Sequence, residues 1–239
     1  MTLYERLRLA IEGEERAVLL TVVEGDPLGA KTLVVGDEVI GDGPTDLADG
    51  ARTGLVEHEG RTVFVEVFGP PPKLVVFGAV DVAESLAALA GRLGWRTVVA
   101  DTRAGLATRE RIPSSDELLV GWPDKVLGRI GLDADTAVVV LTHDEKLDTP
   151  ALLAALRSDA FYVGALGSRR AQAARREHLL AEGLDEAYLE RLSGPSGLDL
   201  GASTPPETAL SILAEIVATR AGRSGGRLAE SAGRIHAEA

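Results

Sequence analysis

The strongest constraint on the fold is a series of five short apolar runs beyond residue 72, most of them followed by a segment of helical pattern. The runs lie at residues 73–77, 96–100, 117–120, 136–141 and 160–163, and the helical segments at 80–93, 122–130, 147–158 and 168–181. Runs that are apolar throughout are typical of strands buried on both faces of a parallel sheet. Strands that alternate with helices at this spacing predict a doubly wound α/β sheet with right-handed crossovers.

A different pattern precedes the proline run at residues 70–72. Apolar residues alternate in part within 17–23, 31–35 and 61–68, and Gly36-Asp37 suits a hairpin turn. Because consecutive prolines are stiff and extended, we place a boundary there. The prediction is a small β-rich domain at 1–69, an α/β domain at 73–221 and a loosely structured tail at 222–239.

Composition excludes several classes of function. The net charge of −12 argues against a nucleic-acid or anionic-membrane partner, and the chain has no apolar run long enough to span a bilayer. The absence of cysteine excludes thiolate metal sites and cysteine nucleophiles, and it favours a cytoplasmic protein. None of the four histidines lies four residues from another, so we expect no metal site.

Two glycines three residues apart, Gly164 and Gly167, follow the last apolar run and precede Ser168, Arg169 and Arg170. Ser168 can cap a helix that begins at Arg169. The N–H groups and the dipole of a helix N-terminus favour an anion, and arginine adds forked donors for phosphate or carboxylate. This pattern predicts a glycine turn that binds an anion; an ordinary strand-to-helix turn with solvated arginines is the alternative.

The first strand-to-helix turn matches the dinucleotide fingerprint G-x-G-x-x-G/A only in part. Gly78 and Ala83 fit, but Val80 occupies the place of the second glycine and Asp81 adds a negative charge. Asp101 ends the second apolar run, where a ribose-binding acid belongs, although a solvated strand end is an equal interpretation. NAD(P) binding is therefore the weaker alternative.

Polar residues also follow the fourth apolar run. Thr142, His143 and Asp144 come directly after it, and ligands in such sheets bind at the carboxyl ends of strands. A histidine there can titrate, orient a substrate or ligate a metal. A histidine satisfied by its neighbours at the start of a loop is the alternative.

A last glycine-containing segment, residues 197–204, includes Asp199 and Gly201. It precedes a helix that we predict to begin with a capping box of Thr204 and Glu207. The segment has two possible interpretations: a site for a polar ligand at this helix N-terminus, or a purely structural connection.

These segments together resemble the xanthine dehydrogenase accessory protein family, also called the XdhC/CoxI family. The resemblance rests on residues 74–79, 140–144, 162–170 and 197–202 and covers about residues 73–236. It implies a Rossmann-like sheet and a cytoplasmic accessory protein that binds the molybdenum cofactor (molybdopterin), aids its sulfuration and passes it to a molybdenum hydroxylase client. The apolar strands of the first domain need a partner surface, which favours a homodimer.

The chain departs from the family pattern in three respects: it lacks a cysteine, its first domain is shortened, and its first βα turn differs. The family's first domain carries a cysteine implicated in cofactor binding, which is absent here, and the family turn G-A-G-H-V-G is replaced by residues 78–83. The candidate cofactor-binding residues are Gly78, Asp101, Thr142, His143, Asp144, Gly164, Gly167, Ser168, Arg169, Arg170, Asp199 and Gly201. The alternatives are an NAD(P)-dependent oxidoreductase with His143 as acid or base, and a scaffold that binds only a partner protein.

Overall fold

A computed structural model describes residues 1–48 and 51–230, which form two compact units. The first unit contains residues 1–70 together with 227–230, and the second contains residues 71–226. The end of the predicted tail, residues 231–239, lies outside the described residues. No helix in the described ranges is long and apolar enough to cross a membrane.

The first unit is a five-stranded antiparallel sheet with one α-helix and a short 3-10 helix, Leu228–Glu230. Its elements are α1 (Leu3–Glu12), β1 (Ala17–Glu24), β2 (Lys31–Val35), β3 (Glu38–Gly41), β4 (Gly54–His58) and β5 (Arg61–Phe68), in the sheet order β3-β2-β1-β5-β4. The hairpin predicted at Gly36-Asp37 joins β2 and β3. Strand β4 was not predicted, because it begins with glycine and ends with two polar residues.

The second unit is a six-stranded parallel sheet between helices. Its elements are β6 (Lys73–Phe77), α2 (Asp81–Arg92), β7 (Arg96–Asp101), β8 (Glu117–Val120), α3 (Pro123–Ile130), β9 (Thr136–Val140), α4 (Glu145–Leu156), β10 (Tyr162–Ala165), α5 (Arg169–Ala181), α6 (Glu186–Leu189), β11 (Leu192–Ser193) and α7 (Pro205–Arg220). The sheet order β11-β10-β9-β6-β7-β8 confirms the predicted doubly wound α/β fold. The order reverses between β6 and β9, which is the switch point where such sheets bind ligands.

Both faces of this sheet are buried, as the continuous apolar runs predicted. Val75 and Phe77 of β6 pack with α3, α4 and α5, whereas Leu74 and Val76 pack with α2 and α7. All four side chains are fully buried. This two-sided core holds the strand ends, and the loops that follow them, in fixed positions.

The prediction of a glycine turn directly after the last apolar run is wrong in one respect. Strand β10 extends to Ala165, so Gly164 lies inside the strand and only Gly167 belongs to the turn. A Cβ on Gly164 would lie 2.6 Å from Ser196 Oγ and 2.7 Å from the hydroxyl of Tyr162. Gly164 is therefore a packing requirement: the ring of Tyr162, two residues earlier on the same face of the strand, occupies the space of a side chain.

Candidate functional site

The carboxyl ends of β7, β6, β9 and β10 lie side by side at one edge of the parallel sheet. Hydrogen bonds continue the ladder past the strands: Gly78 N–H to Ala100 O at 2.7 Å, Leu141 N–H to Phe77 O at 2.8 Å, and Leu166 N–H to Val140 O at 2.9 Å. The four loops that carry most of the predicted site residues therefore start next to one another. This edge includes the switch point and is the candidate site.

Gly78, directly after β6, lies close to the backbone of Thr142, which follows β9. Its φ is +115°, and a Cβ there would lie 3.0 Å from Thr142 Cγ2 and 3.2 Å from Thr142 N. Both the backbone conformation and the short distance require glycine. The structure thus brings Gly78 and Thr142 together, and Gly78 serves the packing of the two strand ends.

Asp101 is fully buried at the end of β7, and its carboxylate is saturated with hydrogen bonds. Oδ1 accepts from Arg103 N–H and Nε, and Oδ2 accepts from Arg103 Nη2 and Ala79 N–H, all at 2.9 Å. Burial by itself raises the pKa of Asp101, but the bonds from Arg103 and Ala79 outweigh it and hold that pKa below its usual value. A carboxylate has about four lone-pair sites, so none remains for a ribose hydroxyl.

The first βα turn offers little to a pyrophosphate. Ala79 N–H is bound to Asp101, and Val80 N–H donates to Gly78 O at 3.0 Å. Val80 precedes α2 without capping it through its side chain, and Asp81 is exposed in the first turn of that helix. This geometry weighs against the NAD(P) alternative.

A buried polar network lies beneath the loops after β9 and β10. The hydroxyl of Thr142 donates to Asp148 Oδ1, and the other Asp148 oxygen forms an ion pair with Arg175 Nη2 at 2.6 Å. Only 6% of the Asp148 side chain and 10% of the Arg175 side chain are exposed. The predicted ligand-binding hydroxyl of Thr142 is thus engaged within the protein.

Arg175 and Gln172 extend this network to the turn before α5. Arg175 Nη1 donates to Gln172 Oε1 at 2.6 Å, and both terminal nitrogens of Arg175 lie 3.3 Å from Leu166 O. Gln172 Nε2 donates to Ala165 O at 2.9 Å. The network therefore fixes the position of the β10–α5 turn relative to the β9–α4 loop.

His143 and Asp144 are the exposed residues of the β9–α4 loop. Asp144 caps α4 by accepting Lys146 N–H at 3.0 Å. The bond to Asp101 raises the pKa of Arg103, and the negative charge of Asp144 raises it further. His143 forms no hydrogen bond or ion pair within the described residues, so its imidazole is free to meet a ligand.

The N-terminus of α5 is an exposed cationic feature of this edge. Ser168 caps the helix by accepting Ala171 N–H at 3.2 Å, and Gly167 has a φ of +142°. Arg169 and Arg170 are exposed, and no acidic residue lies in the first turn. In the described part of the chain neither arginine has an ion-pair partner, so their guanidinium groups are available to an anion.

The loop after β11 is fixed by hydrogen bonds at both ends, and it exposes Asp199 and Gly201 between them. Gly197 N–H donates to Glu215 Oε2 at 2.7 Å, and the predicted capping box of Thr204 and Glu207 is present. Asp199 and Gly201 are exposed between these anchors. No contact among the described residues joins either of them to the N-terminus of α5.

The sequence interpretation missed the residues that organise the edge: Arg103, Asp148, Gln172 and Arg175. One signal was present, because Asp148 lies three, four and seven residues from Ala151, Leu152 and Ala155, on the buried stripe of α4. A charge on an apolar stripe indicates a buried partner. Over residues 1–48 and 51–230, no three His, Asp or Glu side chains converge into a metal site.

Comparison with known proteins identifies the family. The family described as the XdhC Rossmann domain matches residues 74–216. A protein of Bacillus subtilis (strain 168), named as a probable subunit of xanthine dehydrogenase, is 32% identical over 158 residues, which is 66% of this chain and 46% of that protein. The molybdenum cofactor insertion chaperone PaoD of Escherichia coli (strain K12) is 29% identical over 153 residues, 64% of this chain and 42% of PaoD. The chain thus spans less than half the length of these curated relatives.

A solved structure has a similar fold. The crystal structure of a xanthine dehydrogenase from Bacillus halodurans superposes with a TM-score of 0.66 at 22% identity, covering 95% of this chain and 65% of that one. At this identity the likeness concerns the fold alone. The family match covers more than half of the chain and coincides with the parallel sheet and its helices. The chain therefore belongs to the XdhC family, whose Rossmann domain occupies residues 74–216.

Proposed function

We propose that this protein is an accessory factor that binds the molybdenum cofactor and assists its maturation or insertion into a molybdenum hydroxylase of the xanthine or carbon monoxide dehydrogenase type. The observation that carries the proposal is the open N-terminus of α5, where the exposed Arg169 and Arg170 follow the cap Ser168. It supports binding of an anionic cargo in a family with a relative named as a molybdenum cofactor insertion chaperone. The client enzyme, the homodimer and the cytoplasmic location belong to the proposal.

The donor set fits the phosphate end of a pterin cofactor. Forked guanidinium donors and the N–H groups of a first helical turn are suited to phosphate, and the imidazole of His143 can hydrogen-bond to a polar ring. Arg169 and Arg170 would hold the phosphate, with His143 on the neighbouring loop. The cargo brings the molybdenum chemistry; this chain binds and orients it.

The composition sets a limit on the role of this chain in sulfuration. It contains no cysteine, and a persulfide or a thiolate ligand to molybdenum requires one. These 239 residues therefore offer neither a persulfide nor a thiolate ligand to the cargo. We expect the protein to hold the cofactor while a sulfur donor or client acts on it.

Anaerobic titration with purified molybdenum cofactor tests the proposal. The Arg169→Ala/Arg170→Ala variant should bind at least about tenfold more weakly, because one charge-assisted hydrogen bond contributes about 1.5–3 kcal/mol. Arg92→Ala/Arg129→Ala is the matched control, since it removes two exposed arginines, without ion pairs among the described residues, from the last turns of α2 and α3.

Equal affinity of the wild type and the Arg169→Ala/Arg170→Ala variant would remove the α5 N-terminus from the site. If the wild type binds neither pterin nor nucleotide and still retains a molybdenum hydroxylase in a pull-down, the protein is a scaffold without a small ligand. A loss of affinity in the control as large as in the test variant would point to general charge rather than to this site.

A further inference from the structure

The two halves of the Rossmann sheet differ sharply in what they offer to an anion. Dinucleotides bind such sheets across the switch point, with the pyrophosphate on the first βα turn and a ribose on the acid that ends the next strand. Here that turn is residues 78–83, between β6 and α2, and that acid is Asp101. Both are engaged by the protein itself.

The first three N–H groups of the turn at 78–83 are already hydrogen-bonded within the protein. Gly78 donates to Ala100 O at 2.7 Å, Ala79 to Asp101 Oδ2 at 2.9 Å and Val80 to Gly78 O at 3.0 Å. Val80 adds a branched side chain where close approach of a pyrophosphate requires glycine. A pyrophosphate that used the N–H of Ala79 would therefore have to break its bond to a fully buried carboxylate.

The acceptor sites of the Asp101 carboxylate are occupied by Arg103 as well as by the turn. The guanidinium is bidentate, with Nε on one carboxylate oxygen and Nη2 on the other, and Arg103 N–H occupies a further acceptor site. With Ala79 N–H the four lone-pair sites are filled. A ribose that arrived here would find no acceptor for its hydroxyls.

The charges reinforce this closure. The first turn of α2 carries Asp81 and Glu84, and a negative charge at a helix N-terminus occupies the place of a bound anion. Arg111 lies 3.5 Å from Asp81, but both side chains are exposed and solvent screens the pair. The first turn of α5, by contrast, has no acid.

We infer that Asp101 is a specificity-determining residue, which keeps the first βα turn closed to the pyrophosphate of a dinucleotide. The sheet edge therefore selects a cofactor whose only anionic end is a phosphate monoester, and it rejects the same pterin joined to a nucleotide through a pyrophosphate. The choice of cofactor form rests on the proposed function; the closure of the turn does not.

NADH, followed by its fluorescence, tests the closure without the molybdenum cofactor. An opened variant, Val80→Gly/Asp81→Asn/Arg103→Ala, restores the glycine, removes the negative charge and frees acceptor sites on Asp101. Its control is Asp124→Asn/Arg129→Ala, the same change of charge on α3, which follows β8 outside the switch point. Circular dichroism checks that each variant is folded.

The opened variant should bind NADH at least about tenfold more tightly than the wild type and the control. Wild-type protein that binds NADH as tightly as the opened variant would overturn the inference. So would a folded opened variant that gains no affinity. If only the opened variant fails to fold, Asp81→Asn alone, an exposed change, should still give a measurable gain, and no gain there counts against the closure.

The second arm compares the two forms of the cofactor on wild-type protein. The monoester should bind at least about tenfold more tightly than the dinucleotide form, and equal affinities would overturn the specificity. If neither form binds, the proposed function has failed, whereas the NADH result still decides whether the turn is closed.

Discussion

Removing one partner of the buried ion pair between Asp148 and Arg175 should strongly destabilise the second unit. Arg175→Met keeps an unbranched chain of similar length but removes the donors to Asp148, Gln172 and Leu166 O. The Asp148 carboxylate, 6% exposed, would then retain only the hydroxyl of Thr142. Removing one partner of a buried pair costs about 3–5 kcal/mol, because the remaining charge is left uncompensated.

Urea unfolding followed by tryptophan fluorescence measures this loss. Both tryptophans, Trp95 and Trp122, lie in the second unit, so the signal reports on that unit alone. For a slope of about 2 kcal/mol/M, the midpoint should fall by about 1.5–2.5 M. Arg176→Met is the matched control: this neighbour is exposed, donates once to Leu189 O at 3.3 Å, and should cost about 1 kcal/mol or less.

A double variant separates the ion pair from the packing of the arginine stem. Asp148→Leu/Arg175→Met removes both charges, so it should be less destabilised than Arg175→Met alone. A loss below about 1 kcal/mol in Arg175→Met would refute the reasoning, as would a double variant that equals the sum of the two single ones. Either result would mean that water or a neighbouring group compensates the carboxylate.

Two further changes test local features. Gly164→Ala should lower the unfolding free energy by about 1–3 kcal/mol, since its Cβ would clash with Ser196 Oγ, whereas Gly128→Ala on α3 meets nothing within 4 Å and should stabilise slightly; equal thermal shifts would contradict this. Backbone bonds from Ser203 and Thr204 lower the pKa of Glu207 to about 2. The stability that these bonds give is therefore complete above the usual pKa of about 4.5 and is lost as the pH falls towards 2. The difference in urea midpoint between wild type and Glu207→Gln should shrink over that range, and a constant difference would show that Glu207 keeps its ordinary pKa.

Structural features that depend on a few consecutive residues were predictable from the sequence. The continuous apolar runs identified the parallel strands, because a strand buried on both faces has no polar side. The helix caps at Ser168 and Thr204 were also predictable from the sequence, because the side chain of a cap bonds to a residue only three positions later. The strand order of a parallel sheet also predicts that His143 and Arg169 lie at the same edge, because both follow the carboxyl ends of strands.

Strand ends were predictable only to within two residues at β10. The run at 160–163 and the following glycine suggested a turn at Gly164, yet the strand continues to Ala165. The reason is tertiary, since Gly164 makes room for the hydroxyls of Tyr162 and Ser196. Ser196, 32 positions later in the chain, is thus one reason why a glycine is needed inside the strand.

The sequence by itself determined the fold class, the helix caps and the positions of Asp101, Thr142 and Arg169 at the carboxyl edge, because strand periodicity and capping act over a few residues. Only the tertiary structure decided which of these groups remain free. Asp101 is bound by Arg103, two residues later, and also by Ala79, 22 residues earlier, whereas Asp148, the partner of Thr142, is bound by Arg175, 27 residues after Asp148. Lone pairs are filled by whatever the fold brings within about 3 Å, so two predicted ligand contacts became internal bonds, whereas His143, Arg169 and Arg170 stayed open.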